Sequence, residues 1–200
     1  MWLRNQSYED CVQSQTSTSC YRRPPPPRSP SFHIGLALRI IVLVLLVTAL
    51  GLVLAGRGVC VKRGGLDGYD CFHHDPLPLE LDFSVLTWAG RIRAGATQLQ
   101  AQFAVVAING LAIVSAVALI VVTVLRFKQQ FQAILGLLLS LLLMVTLCAG
   151  IETWLASGAA GPFALTYISG YVISWVAASV LYFVAIIILI ADFVFFSSNW

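Results

Sequence analysis

Four long apolar blocks constrain this chain more than anything else in it. Charge-free runs cover Ile40–Gly56, Ala94–Leu125, Gln129–Ile151 and Thr153–Ala191. About 20 apolar residues in a helix cross the ~30 Å of hydrocarbon in a bilayer. Each block reaches that length with its apolar flanks. Only 10% of the 200 residues are charged, against about 25% in a soluble domain. The predicted fold class is therefore all-α: an integral membrane four-helix transmembrane bundle with a disordered N-terminal tail. Four spans and their connections use most of the length, which leaves no room for a separate soluble domain.

Residues 1–33 hold Ser, Thr, Gln, Arg and the run Pro24–Pro27. That composition buries no core and predicts a disordered tail with a short, stiff polyproline stretch. Pro24 and Pro27 frame a PxxP core without an arginine at the usual flanking spacing, so a solvated spacer is the simpler reading. Ser29-Pro30 is a weak phosphorylation signal. The first apolar block starts too far behind this tail for an ordinary cleaved leader, so it is expected to stay as a signal anchor.

The four-span domain is expected over 34–196. Its spans lie at about 34–55, 103–125, 131–154 and 171–196, with an outer loop at about 56–97. Within that loop, Phe83, Leu86, Trp88 and Ile92 follow a helical period from Asp82 on. They predict a short amphipathic helix capped by Asp82 or Ser84. The turn Arg126–Gln130 is so short that spans two and three must be antiparallel neighbours. Gly158–Pro162 breaks the helix after span three.

Four spans place both termini and the 126–130 turn on one side. That side holds Arg4, Arg22, Arg23, Arg28, Arg39, Arg126 and Lys128, seven basic residues against five at 57–93. The positive-inside rule then favours cytosolic termini. Cys60 and Cys71 share the outer loop, where an oxidising space would allow a disulfide. On the opposite topology they would be free or acylated thiols. Cys11 and Cys20 fall in the tail and read as reduced. Cys148 reads as apolar filling of span three. Asn5-Gln6-Ser7 matches a glycosylation sequon that a cytosolic tail would leave unmodified.

Few residues carry chemistry. Glu152 stands near the outer end of span three beside Trp154. Two readings are open: an interfacial acid that reaches water, with Trp154 in the aromatic belt, or a buried ion or proton site. Arg39 and Asp192 both lie near the inner leaflet. They either pair across the bundle or stay solvated at the helix ends, with Arg39 snorkelling. Asn109 is polar in an apolar setting and should hydrogen-bond to another helix. Small residues at four-residue spacing predict close helix packing: Ala112 and Ala116, Gly136 and Ser140, and Gly170, Ser174 and Ala178. His73-His74-Asp75 lacks the further ligands that a metal site needs. There is no phosphate loop, HExxH or GxSxG. The reading is no enzyme, no cofactor and no metal. The partners expected are the lipid bilayer and itself or other membrane proteins. The arginines flank spans rather than form a basic face, so nucleic acid is excluded.

In layout the chain resembles the MARVEL superfamily of tetraspan membrane proteins. The local echoes are Leu38-Arg39-Ile40-Ile41 at the start of span one, and Val180-Leu181-Tyr182-Phe183-Val184 leading to Asp192 in span four. It is also similar to claudin-like proteins in having a cysteine pair in the first outer loop. The claudin Trp-Gly-Leu-Trp signature is absent, since Gly65-Leu66 is followed by Asp67. Glu152 also lies later in span three than the acidic residue of plant Casparian-strip relatives. The resemblance covers 34–196. It implies a non-enzymatic multi-pass protein that organises a membrane domain, a junction or a trafficking step, at the plasma membrane. The alternative is a subunit of an ion channel or small transporter, with Glu152 and Asn109 facing an internal path.

Overall fold

The computed structural model describes residues 30–63, 70–72, 82–93, 97–125, 131–156 and 168–198. The tail with Pro24–Pro27 and Asn5, the His73-His74-Asp75 motif, the Arg126–Gln130 turn and the Gly158–Pro162 break lie outside the described residues. Four long helices dominate: α1 (Pro30–Ala55), α3 (Thr97–Leu125), α4 (Phe131–Ala156) and α5 (Ile173–Ser198). All four are long and apolar enough to cross a membrane. They close into a ring in which α1 packs on α3 and α5, and α4 packs on the same two.

The four sequences are apolar all round, so hydrophobicity does not choose which side faces in. Size and polarity do. The buried line of α1 runs Gly35, Arg39, Val42, Leu46, Ala49, Val53. That of α3 runs Gln102, Val105, Asn109, Ala112, Ala116, Leu119. Steps of three and four alternate, the 3.5-residue repeat of left-handed helix packing. Small side chains on these lines let backbones approach, as the sequence predicts for Ala112, Ala116, Ser174 and Ala178. Two of the predicted small positions differ. Gly136 faces outward with nothing within 4 Å of where a Cβ would stand, and Gly170 lies in a strand. Spacing alone does not tell which face of an apolar helix is the inner one.

Large apolar side chains cover the outside, among them Val44, Leu111, Val114, Leu143 and Ile187, all more than half exposed. Such a surface would aggregate in water, and it suits a hydrocarbon solvent.

One end of the bundle carries a small sheet that an all-α reading omits. Strand β1 (Val59–Arg63) lies between β2 (Asp70–Phe72) and β3 (Ile168–Val172), antiparallel to both. The β1–β3 pairing runs from Val59↔Val172 to Arg63↔Ile168. It takes Tyr171 and Val172 into the sheet, so α5 begins at Ile173 rather than at 171. The predicted amphipathic helix is present as α2 (Val85–Arg93). Ser84 N donates to Asp82 Oδ1 at 2.9 Å, which makes the entry turn.

The step from α1 into β1 depends on one glycine. Gly56 sits at φ +54°, and its N–H donates back to Leu52 O at 3.3 Å. A Cβ there would meet the Phe83 carbonyl oxygen at 1.9 Å. Glycine alone fits both the left-handed conformation and the close approach.

Candidate functional site

Polar side chains inside the ring fall at three levels. At the end away from the sheet, Arg39 on α1 faces Asp192 on α5. Arg39 Nε donates to Asp192 Oδ2 at 2.9 Å, and the two side chains are only 4% and 2% exposed. The guanidinium also donates to Thr123 Oγ1 on α3. Thr123 in turn donates to Leu119 O at 2.6 Å. The Phe196 ring lies 5.7 Å from the guanidinium carbon. Phe196 itself stacks on Phe131 of α4 at 5.4 Å. One cation thus ties α1, α3 and α5 together, with α4 joined through the rings. Of the two sequence readings, the cross-bundle pair is the one observed, and Arg39 does not snorkel.

Midway along α3, Asn109 Nδ2 donates to Leu46 O on α1 at 3.1 Å, the interhelical bond predicted for it. Its Oδ1 has no hydrogen-bond partner among the described residues.

Toward the sheet end, Glu152 on α4 is fully buried. The sequence allowed it to be an interfacial acid reaching water, and the structure does not place it so. The rotation of α4 turns Glu152 inward with Leu141, Val145 and Cys148, while Trp154 points out and is half exposed. Glu152 Oε2 accepts from Gln102 Nε2 on α3 at 3.1 Å. Glu152 Oε1, Gln102 Oε1 and the Tyr182 hydroxyl on α5 have no hydrogen-bond partner among the described residues. Cys148, the one free cysteine among the described residues, sits one turn along α4 with Sγ 3.8 Å from Val105 O.

Sequence reading left out Gln102 and Tyr182. Gln102 fell just outside the predicted second span. A signal exists: Gln102 precedes Asn109 by seven residues, and Tyr182 precedes Asp192 by ten, so each shares the buried line of a residue already singled out.

Outside the ring, the predicted Cys60–Cys71 disulfide is formed. The two residues face each other in register across β1 and β2. The sheet is fixed to the helices by backbone bonds, Ile173 N to Gly58 O at 2.6 Å and Ser174 N to Arg57 O at 3.1 Å. Trp175 Nε1 adds a bond to Val53 O at 3.3 Å. Beneath the sheet, Phe83 meets Trp175 edge-on at 5.7 Å, and Trp88 of α2 meets Phe103 of α3 at 5.1 Å. On the outer face of the same end, α4 and α5 frame an apolar groove of about 440 Å³ beside Thr146, Gly150, Thr153, Trp154, Phe183 and Ile186. Both threonine hydroxyls return to their own helix, at 2.8 and 2.7 Å, so the groove presents hydrocarbon.

Among the described residues no three His, Cys, Asp or Glu side chains gather where a metal could bind. No family model matches the chain, and no curated protein or solved structure matches it either.

Proposed function

We propose that this chain is a non-enzymatic multi-pass membrane protein that organises a membrane domain, a junction or a trafficking step. The four apolar helices are its membrane anchor, and the sheet with α2 is its outward contact surface. The termini are cytosolic, and the compartment is the plasma membrane, in keeping with the MARVEL-like layout.

The observation that carries this reading is the rigid attachment of the sheet to the bundle. A contact loop ordered before its partner arrives loses less entropy on binding. Here the loop is stapled by Cys60–Cys71 and bonded to α5 through Gly58 and Arg57. The Arg39–Asp192 pair supports it too, because it closes the ring with charges that face each other rather than a path. The apolar α4–α5 groove gives lateral packing a surface, against a further copy or another membrane protein.

The test uses purified, fluorescent protein in giant vesicles. The organiser reading expects the protein to gather into clusters or at vesicle–vesicle contacts. Opening the disulfide with a reductant, with the helices still folded, should disperse it. A uniform distribution before and after reduction contradicts the reading.

A second reading, a subunit of an ion channel or small transporter, draws on the unpartnered oxygens of Glu152 and Asn109. Ion flux in liposomes well above protein-free leak, abolished by Glu152→Gln, is what that reading requires.

A further inference from the structure

The short helix α2 presents Leu86 at 90% exposure, the highest of any large apolar side chain among the described residues, with Val85 beside it at 41%. A single exposed leucine on a water-facing helix is ordinary. The depth at which α2 sits makes this one different.

Two contacts set that depth. The turn into α2 lies against the end of α1. The Phe83 carbonyl oxygen stands 1.9 Å from where a Cβ on Gly56 would fall, and Gly56 directly follows the span His33–Ala55. Trp88 Nε1 donates to that same carbonyl oxygen at 2.8 Å. The second contact is with α3. The Trp88 ring meets Phe103 edge-on at 5.1 Å. Phe103 lies inside the span Leu99–Leu125, ~6 Å along the helix from Leu99. Both anchor points are therefore at the level where the spans leave the hydrocarbon. An interfacial amphipathic helix seats its apolar face about 5–10 Å into the boundary between headgroups and acyl chains, which is the same level.

The side of the ring on which α2 lies follows from Phe103. That residue is 47% exposed and shares the outward side of α3 with Val114. Trp88 packs against it, so α2 borders the hydrocarbon-facing surface of α3. Leu86 stands about 200° around α2 from Trp88, so it points away from α3. The polar groups of this stretch are satisfied within the turn, Thr87 Oγ1 bonding to the carbonyl oxygens of Asp82 and Ser84 at 2.8 and 2.9 Å. Gly90, one turn beyond Leu86, has nothing within 4 Å of where a Cβ would stand.

We infer that α2 is an interfacial helix whose partner is the lipid of the leaflet at the sheet end, with Leu86 and Val85 inserted among the upper acyl carbons. Lipid is the occupant because this face continues the hydrocarbon-facing surface of α3 at the same depth. The inference rests on the membrane reading of the four helices. It gives one face of the contact surface to lipid and leaves the sheet for contacts with protein.

The experiment uses the full chain in phosphatidylcholine vesicles, with Cys11 and Cys20 replaced by serine and the Cys60–Cys71 bridge kept. Cys148 is buried and does not compete for label. A nitroxide is placed at Leu86→Cys and, as a reference on the outer face of α3, at Leu111→Cys. Both side chains are exposed, 90% and 61%, so their replacement removes little packing. Dissolved oxygen concentrates in hydrocarbon, and a neutral nickel chelate stays in water. At both positions oxygen should relax the label several-fold more than nickel does, and Val85→Cys should follow Leu86→Cys. Nickel dominating at Leu86 with oxygen dominating at Leu111 overturns this inference and leaves the membrane reading standing. A label at Leu86 shielded from both reagents also overturns it, because protein then covers the face. Nickel dominating at both positions overturns the membrane reading and the inference together.

Discussion

Asp192→Ala should cost about 3–5 kcal/mol of bundle stability, the loss expected when one partner of a buried ion pair is removed. The remaining Arg39 would hold a full charge in an apolar interior, with only the Thr123 hydroxyl and the Phe196 ring near it. Arg39→Ala should be as damaging, since Asp192 then keeps its charge with no cation. Two double variants separate pairing from packing. The swap of Arg39→Asp with Asp192→Arg should recover part of the loss. It should not recover all of it, because the donor to Thr123 no longer comes from α1. Arg39→Leu with Asp192→Leu should come close to the parent, because neither charge is left buried and the volume is filled. The measurement is the folded, monodisperse fraction after a graded denaturant challenge. Single variants as stable as the parent would mean that the pair is solvated and that the helix ends there are open.

Removing the Cys60–Cys71 bridge should weaken the sheet end and spare the long helices. The bridge closes a loop of sequence separation 11, for which chain-entropy arguments give about 3 kcal/mol. The strands it serves are short, and β2 has three residues, so the sheet lacks a core of its own. Cys60→Ser is expected to speed amide exchange in β1 and β2 by roughly 100-fold, the equivalent of about 3 kcal/mol. Exchange in the middle of α3 and α4 should stay as it was. The β1–β3 ladder should loosen less than β1–β2, because the Ile173–Gly58 and Ser174–Arg57 bonds hold its base. Exchange that rises along all four helices would show instead that the bridge holds the whole bundle together.

Neither feature was settled by the sequence, which left Arg39 and Asp192 either paired or solvated at the helix ends and Cys60 and Cys71 either bridged or free, and the reason is physical. A charge near a span end can reach water or a partner, and only the fold shows that Arg39 and Asp192, 153 positions apart, face each other. Paired cysteines in one loop leave the choice open in the same way. The four helices were legible because an apolar run of that length has one economical backbone solution in hydrocarbon. The sheet was not legible. Val59–Arg63 and Ile168–Val172 are short and far apart in sequence, and nothing local tells either that its partner exists. The burial of Glu152 was left open, since an evenly apolar helix does not declare its rotation. Only the line of small and polar residues at 3.5-residue spacing does, and Gly136, exposed while Ser140 is half-buried, shows that a small residue read over one turn can fall on the outer face.

We propose a membrane bundle with its termini inside the cell and a disulfide-stapled sheet outside. Thiol labelling of intact cells with an impermeant reagent tests it most directly, comparing Cys60 and Cys71 with Cys11 and Cys20. Cys60 and Cys71 should label from outside only after reduction, and Cys11 and Cys20 only after the membrane is permeabilised. Labelling of Cys11 or Cys20 in intact cells would contradict it, turning the sheet end toward the cytosol and removing the outward contact surface on which the proposed function rests.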